Sequence, residues 1–301
     1  MYELLLIGTI GINISADFLD RHTTRGSDPY SLALWTGIVQ SLLIFPIIGL
    51  VGHISAGQVV LCMIVGSVAS FGRMRWYGAL SDAREQLSRL APFLRLSSVF
   101  VLLMAMFILR ERLSPLQSVG AGCIIFSALL VTLERPGATL RAFVHNNRAA
   151  SLVIVFSFST ACISVLYKYL LGSGVSMWTA YFYMRLFQLV PLLLAGIHTR
   201  SISGAHTNIR NLRLFVFGRV LQTGAAFLFL LVLKHIPLTR VEPIAALSPF
   251  LLLVGEWVLA RSRARGDQPA AKPAAVSWGI RGLRLAALAM VACGIVLLGK
   301  K

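Results

Sequence analysis

Charged side chains are scarce in this 301-residue sequence. They make up 13% of it, whereas 57% of the residues are hydrophobic and the mean hydropathy is +0.78. A soluble domain usually carries about 25% charged residues, and no connection between the apolar runs is long enough to hold one. The composition therefore indicates a polytopic membrane protein. Because the apolar runs are continuous rather than alternating, the predicted fold class is an all-α membrane protein.

Catalytic and nucleotide-binding motifs are also missing. The sequence contains no HExxH, no GxSxG and no cluster of histidines, and it has no Walker-type glycine-rich loop for ATP. Its four cysteines lie inside apolar runs without CxxC spacing, which favours a packing role over metal ligation. We therefore expect no catalytic residue, no metal, no cofactor and no enzymatic activity.

What the sequence does contain is a series of apolar runs of about 20 residues, close to the length that the ~30 Å hydrocarbon layer requires. The first run lacks the basic region and the cleavage site of a signal peptide, so it is interpreted as a span. The ten predicted spans cover residues 2–19, 30–51, 59–80, 90–109, 115–133, 150–171, 176–197, 212–234, 238–260 and 280–299.

A short segment occurs twice, at an offset of 151 residues. Residues 87–93 are LSRLAPF and residues 238–244 are LTRVEPI, in the same predicted span of each half. Five spans per half is an odd number, so the second half enters the membrane upside down relative to the first, as in many secondary transporters. The sequence thus predicts ten transmembrane helices in two inverted five-helix repeats, over residues 1–134 and 149–301.

Residues 95–133 carry a resemblance to a known family. An apolar span is followed there by the turn RERLS at 110–114 and then by a glycine-rich span. This pattern resembles the EamA-type members of the drug/metabolite transporter superfamily, in which the turn reads Gly-Glu-Arg-Leu-Ser, so that Arg110 stands where glycine is usual. The second half keeps a proline at the family's position, Pro249, but has no glutamate where the turn glutamate would be.

The resemblance implies a transporter with a central cavity between the two repeats and with spans 5 and 10 at the periphery. It also implies a multi-pass protein of the bacterial cytoplasmic (inner) membrane, with the lipid bilayer and a small-molecule substrate as partners. A homodimer through the peripheral helices is a further expectation. Arg185 in span 7 resembles an arginine that is often found in the second span of each family repeat.

The formal net charge of +17 bears on partners and on orientation. Most lysines and arginines lie between the apolar runs, where anionic headgroups and the positive-inside rule account for them, so nucleic acid is not expected as a partner. More than twice as many lie on the side opposite the termini as on the side of the termini. The rule then places the loop 261–275 in the cytoplasm and the termini outside, whereas family members usually keep both termini in the cytoplasm.

Polar residues at membrane depth are the candidate substrate-binding residues, because a charge at a helix centre costs about 2.5–3.5 kcal/mol unless it faces a cavity or a partner. Arg185 and Arg219 are the primary candidates, since each lies too far into its span to reach the headgroups easily. Helical spacing places Tyr181 and Gln188 on the face of Arg185, and Gln222 on the face of Arg219. The remaining candidates are Arg73, Tyr77, Arg95 and Glu242.

Some polar residues also have a structural interpretation. Four of them lie near span ends, where they either line the cavity or extend to the headgroups: Arg73, Arg75, Asp17 and Lys168. For Ser157 and Thr160, a hydrogen bond to the carbonyl four residues earlier in their own helix is the preferred interpretation. The segment that begins at Asp20 is predicted to be a loop.

The predicted cavity holds more cations than anions, and the planar guanidinium group suits a carboxylate or a phosphate. The sequence thus predicts a secondary transporter that moves a small polar metabolite, an organic anion or a zwitterion, by alternating access. One alternative is that Glu242, Glu256 and backbone carbonyls fully occupy the arginines, which leaves the cavity to neutral solutes. Another is a membrane-integral binding or assembly protein, or a membrane-embedded enzyme without a recognisable catalytic motif.

Overall fold

The computed structural model describes residues 2–23, 28–82, 91–112, 114–132, 148–199 and 212–245, with six single positions between 286 and 297. Within these ranges the chain is helical, with no strand. The helices are α1 (Tyr2–Thr23), α2 (Pro29–Ile44, continued by a 3-10 helix, Phe45–Leu50), α3 (Ala56–Asp82), α4 (Ala91–Ile108), α5 (Pro115–Thr132), α6 (Arg148–Gly172), α7 (Met177–Thr199), α8 (Leu212–His235) and α9 (Leu238–Ala245).

The first nine predicted spans each contain one of these helices. The main difference is at the end of α1, which was predicted to stop at residue 19 and instead continues to Thr23. Asp20 was therefore wrongly assigned to a loop, and it is helical and 1% exposed. The later part of the ninth span and most of the tenth lie outside the described residues, as do residues 87–90 of the repeated segment.

Five of the described helices are long and apolar enough to cross a membrane: Pro29–Leu50, Ala56–Ala79, Ser151–Gly172, Met177–Ile197 and Leu212–His235. Three further helices contain shorter apolar stretches, Leu4–Ala16, Leu96–Ile108 and Pro115–Ser127. Large apolar side chains are exposed on the outside of the bundle, among them Phe107 at 81% and Leu42 at 68%. Such side chains are stable in lipid and costly in water. The chain is an integral multi-pass membrane protein.

The helices pack around a central space. α3 lies against α6 and α7, α1 lies against α8, and α2 contacts both α3 and α7. α4 packs on α6 and α9, and α5 packs mainly on α4 and α9. Buried apolar residues fill the contacts of α1, α6, α7 and α8 on one side and of α2, α3 and α6 on the other. α5 is thus at the edge of the described bundle, as the resemblance implied.

The turn between α4 and α5 holds the start of α9. Both oxygens of the Glu111 carboxylate accept backbone hydrogen bonds, Oε1 from Leu238 N–H at 3.0 Å and Oε2 from Thr239 N–H at 2.9 Å. The first N–H groups of a helix have no partner inside it, and the positive end of the helix dipole favours a carboxylate. The glutamate of the family's turn therefore connects the first half of the chain to the second.

Lys168 binds backbone groups at the opposite kind of helix end, the C-terminus of α8. Its Nζ donates to the carbonyl oxygens of Leu233 and Ile236, the latter at 2.9 Å. The last carbonyls of a helix lack partners within it, and a cation is favourable at that end. Lys168 lies outside the lining of the cavity, and its ammonium group is held at the end of α8.

Arg110 adopts a backbone conformation that favours glycine. Its φ is 53°, in the left-handed region, where an L side chain costs about 1–2 kcal/mol. This explains why glycine is usual at this position of the turn. We expect Arg110→Gly to raise the free energy of unfolding by up to about 1 kcal/mol, because part of the gain is lost to the greater freedom of glycine in the unfolded chain. Arg110→Ala keeps the Cβ and is the control. Thermal unfolding in detergent that ranks alanine at or above glycine would contradict this explanation.

Removing the Glu111 carboxylate from the start of α9 should lower the free energy of unfolding. Glu111→Ala leaves two N–H groups at the start of α9 without an acceptor, and we expect a loss of about 0.5–2 kcal/mol in the free energy of unfolding. The neighbouring Arg112 is exposed, and Arg112→Ala provides a matched control. Equal melting temperatures for the two variants would show that the cap does not stabilise the fold.

Candidate functional site

A cavity of about 410 Å³ lies between α1, α3, α4, α6, α7, α8 and α9. Serine, threonine and asparagine side chains from α1, α4 and α6 contribute part of its wall, and apolar side chains contribute the rest. Of the nine residues predicted to bind substrate, the cavity is lined by Tyr181, Arg185, Gln188, Gln222, Arg73 and Glu242. Arg219 and Tyr77 lie outside its lining, and the side chain of Arg95 lies outside the described residues.

The face of α7 that the sequence predicted is the polar wall of this cavity. Tyr181, Arg185 and Gln188 follow one another at helical spacing and are 1%, 7% and 1% exposed. Turned outward, the same residues would place a guanidinium in lipid, which is costly. The apolar residues of α7 take the lipid side instead, among them Leu186 and Leu194.

Arg185 is held in place by neutral groups. Its Nη1 donates to Gln40 Oε1 at 2.6 Å and to Gln188 Oε1 at 2.7 Å, and its guanidinium carbon lies 4.8 Å from the centre of the Tyr181 ring. None of these partners carries a negative charge. One edge of the guanidinium is therefore fixed by α2 and α7, and these described partners leave its positive charge without a counter-charge.

Three donor groups on this wall have no hydrogen-bond partner among the residues that the structure describes. They are Arg185 Nε, Gln188 Nε2 and the Tyr181 hydroxyl, all of which are buried. A buried donor without a partner costs about 1–3 kcal/mol, and here three of them line one cavity. The wall is suited to a ligand that brings acceptor oxygens.

Arg219 has a different environment, since it forms an ion pair with Asp20 of α1. Its Nη1 also donates to Tyr77 Oη at 3.0 Å and to Gln222 Oε1 at 2.8 Å, and its side chain is 0% exposed. The Tyr77 hydroxyl is hydrogen-bonded to that of Thr36 at 2.8 Å. The charge of Arg219 is thus neutralised by an acid that the sequence analysis had assigned to a loop.

Two glutamines join the two arginines. Gln40 accepts from Arg185 and donates through Nε2 to Gln222 Oε1 at 3.3 Å, and the same oxygen accepts from Arg219. Gln40 is completely buried in α2 and was not among the predicted site residues. The available signal was a lone amide near the middle of an otherwise apolar span, which needs a partner at that depth.

A second polar group of the lining is Glu242 of α9, whose Oε2 accepts a hydrogen bond from Ser98 Oγ at 3.3 Å. Thr160 of α6 also faces the cavity, and its hydroxyl donates to the carbonyl of Phe156 at 3.0 Å, which confirms the interpretation from the sequence. Arg73 is half-buried in the lining. The side chains of Asp17 and Glu256 lie outside the described residues.

Metal ligation was not expected, and the described part of the chain contains no group of three or more His, Cys, Asp or Glu side chains that could hold a metal ion. The polar groups that the cavity does present are arginine, amide and hydroxyl donors together with one carboxylate. These are groups that bind and orient a polar solute.

Comparisons with known proteins give a family and a fold. The model of the EamA-like transporter family matches residues 4–133, which confirms the resemblance found in the turn after α4. A solved structure described only as the crystal structure of a protein superposes with a TM-score of 0.66 at 13% identity, over 99% of this chain and 96% of that one. At this identity the likeness shows a shared fold. In all, 28 solved chains match significantly, and no curated protein does.

The cavity wall depends on a close approach between α3 and α7. A Cβ built on Gly66 would lie 2.8 Å from the backbone nitrogen of Gln188 and 2.8 Å from the carbonyl oxygen of Met184. We expect Gly66→Ala to push α7 away and to destabilise the protein by about 1–3 kcal/mol. Gly122 of α5 has open space around it, so Gly122→Ala should be neutral or stabilising. If the two variants unfold at the same temperature, the contact does not constrain α7.

Proposed function

We propose that this chain, whose residues 4–133 belong to the EamA-like transporter family, is a secondary transporter that moves a small organic anion through the cavity by alternating access. The family consists of transporters, and the bundle is an integral membrane protein. The observation that carries the substrate class is the set of unpaired buried donors around Arg185. The chemistry that fits them is a carboxylate or a phosphate, since the guanidinium can offer two parallel N–H groups to either.

The charges of the site support an anion over a neutral solute. Arg219 is neutralised by Asp20, whereas the described partners of Arg185 are neutral amides and an aromatic ring. A buried charge with neutral partners is poorly compensated, and a counter-charge stabilises it. An anionic substrate supplies that counter-charge. The alternative named Glu242, Glu256 and backbone carbonyls as the groups that occupy the arginines. The described acid on Arg219 is instead Asp20, and the described side-chain partners of Arg185 are neutral.

The proposed roles of the candidate residues follow from their positions. Arg185 is the anchor, and Tyr181 and Gln188 complete the donor set. Arg73, Gln222 and Glu242 are the remaining polar lining, while Arg219 and Tyr77 hold the network that supports Gln222. Arg95 remains a candidate from its place in α4.

Inverted repeats are a frequent basis of alternating access, and the contacts among the described helices support two related halves, as expected for the proposed ten helices in two inverted repeats. If α1–α4 are equivalent in order to α6–α9, the contact of α3 with α6 corresponds to the contact of α8 with α1. Both contacts are extensive, and α2 and α7, which would exchange with each other, are in direct contact. These contacts are those expected of an inverted-repeat transporter and support the proposal. We extend the proposal to the bacterial inner membrane and to a homodimer through the peripheral helices.

The test is ligand stabilisation followed by transport. Purified wild-type protein, Arg185→Lys and Arg185→Gln are melted with small carboxylates and phosphate monoesters and with neutral analogues of the same size. We expect anions to raise the melting temperature of the wild type by mass action. Loss of a charge-assisted hydrogen bond of about 1.5–3 kcal/mol should weaken binding by Arg185→Gln about 10- to 100-fold, with Arg185→Lys in between.

Arg75→Gln is the matched control, because Arg75 is an exposed arginine of α3 that lies over Phe71 and outside the cavity lining. It should bind and transport like the wild type in liposomes. A folded Arg185→Gln variant that is stabilised by the same anions, and takes them up at the same rate, would refute the anion hypothesis. Stabilisation by the neutral analogues alone would favour neutral solutes.

A further inference from the structure

Asp20 and Arg219, with Thr36 and Tyr77, form one connected layer of side chains from α1, α2, α3 and α8, which we call the Asp20 layer. We propose that the ion pair in this layer is the gate that closes the cavity on the side of the membrane opposite the chain start. The inference rests on the proposed transport function and assigns a part of it to Asp20.

The layer lies at one end of the bundle. Asp20 is three residues before the end of α1, Tyr77 is five residues before the end of α3, and Arg219 is seven residues after the start of α8. Helices that alternate in direction bring these ends to the same side, and the contacts among the four side chains show that they meet there.

Three helices, α1, α3 and α8, contribute residues both to the Asp20 layer and to the lining of the cavity. In each of them the lining residues lie on the side of the layer that faces away from this end of the bundle. In α1 its lining ends at Ile14, before Asp20, and in α3 it ends at Arg73, before Tyr77. In α8 it begins at Gln222, after Arg219. At a rise of 1.5 Å per residue these offsets are about 5–9 Å along the helix axis. The Asp20 layer therefore separates the cavity from one end of the bundle.

The contact between α1 and α8 is close at the ion pair. A Cβ on Gly218 would lie 3.6 Å from the Cβ of Leu19 and 3.8 Å from Asp20 Oδ1, so the glycine lets the two helices approach. A solute that passes between α1 and α8 must break the ion pair. Water that enters as the helices separate solvates both charges, and this offsets the lost attraction, since a buried ion pair gains little over its hydrated ions. Such a contact can open as well as close.

The layer is also connected to the proposed anchor. Gln222 accepts hydrogen bonds from Arg219 and from Gln40, and Gln40 in turn holds Arg185. A substrate that draws Arg185 away from Gln40 would loosen the amide that supports Arg219. Gln40 and Gln222 are therefore positioning residues that link occupation of the cavity to the ion pair.

Cysteine accessibility tests the gate without any substrate. The four native cysteines are replaced, and Asn13→Cys is introduced, because Asn13 lines the cavity and lies two turns before Asp20 in α1. A membrane-impermeant maleimide is applied to vesicles from each side in turn. The variants are Asp20→Asn, Arg219→Gln and the Asp20→Asn/Arg219→Gln double variant, which leaves no unpaired buried charge and so protects folding.

We expect the double variant to be labelled from the side opposite the chain start at least tenfold faster than the otherwise wild-type protein. Labelling from the side of the chain start should change little. Arg75→Gln, which removes an exposed arginine at the depth of Tyr77, should leave both rates unchanged. A folded double variant with unchanged labelling overturns the gate, and so does an equal acceleration in Arg75→Gln.

The same preparation separates this proposal from the proposed function. If the double variant is labelled faster while no anion stabilises the wild type, the gate holds and the anion assignment fails. If anions bind through Arg185 and labelling does not respond to the ion pair, the substrate class holds and the Asp20 layer is only structural.

Discussion

A guanidinium group inside a membrane must have partners, and this bundle supplies them to two arginines in different ways. Arg219 receives a full counter-charge from Asp20, while Arg185 receives two amide oxygens and an aromatic face. Both arrangements need helices that are distant in sequence. α1 must lie against α8 to bring Asp20, and α2 must lie against α7 to bring Gln40. The arginines thus help to determine which helices pack together.

The positive charges of Arg219 and Arg185 are compensated to different degrees, and this bears on what each arginine can do. An ion pair of buried groups leaves little net charge for a solute, so Arg219 attracts an anion weakly while Asp20 remains in place. Amide oxygens orient Arg185 without cancelling its charge, and within the described part of the chain its Nε has no hydrogen-bond partner. The difference between an acid and an amide at the partner position therefore leaves the two arginines with different net charges, which is the basis for proposing different roles for them.

The sequence predicted the helices and one face of the cavity because both follow from local rules. Apolar runs of bilayer length set the spans, and helical spacing placed Tyr181, Arg185 and Gln188 together. The partners of the arginines follow no such rule. Gln40 lies 145 residues from Arg185, so their contact depends on how α2 packs against α7. Asp20 was missed because a charged residue at the end of an apolar run usually marks a loop, and its ion pair with Arg219 depends on how α1 packs against α8.

The two ends of the bundle are held by different chemistry. At one end, the Asp20 layer joins helices through side chains alone. At the other, Glu111 and Lys168 bind backbone groups of the connection between α8 and α9, with the acid at the start of one helix and the base at the end of the other. Each charge matches the dipole of the helix end it binds. Since backbone contacts persist unless the helix ends unwind, α8 and α9 should move together with α6 and the turn at Glu111. Separation of the helices is then easiest between α8 and α1, where only side chains hold them.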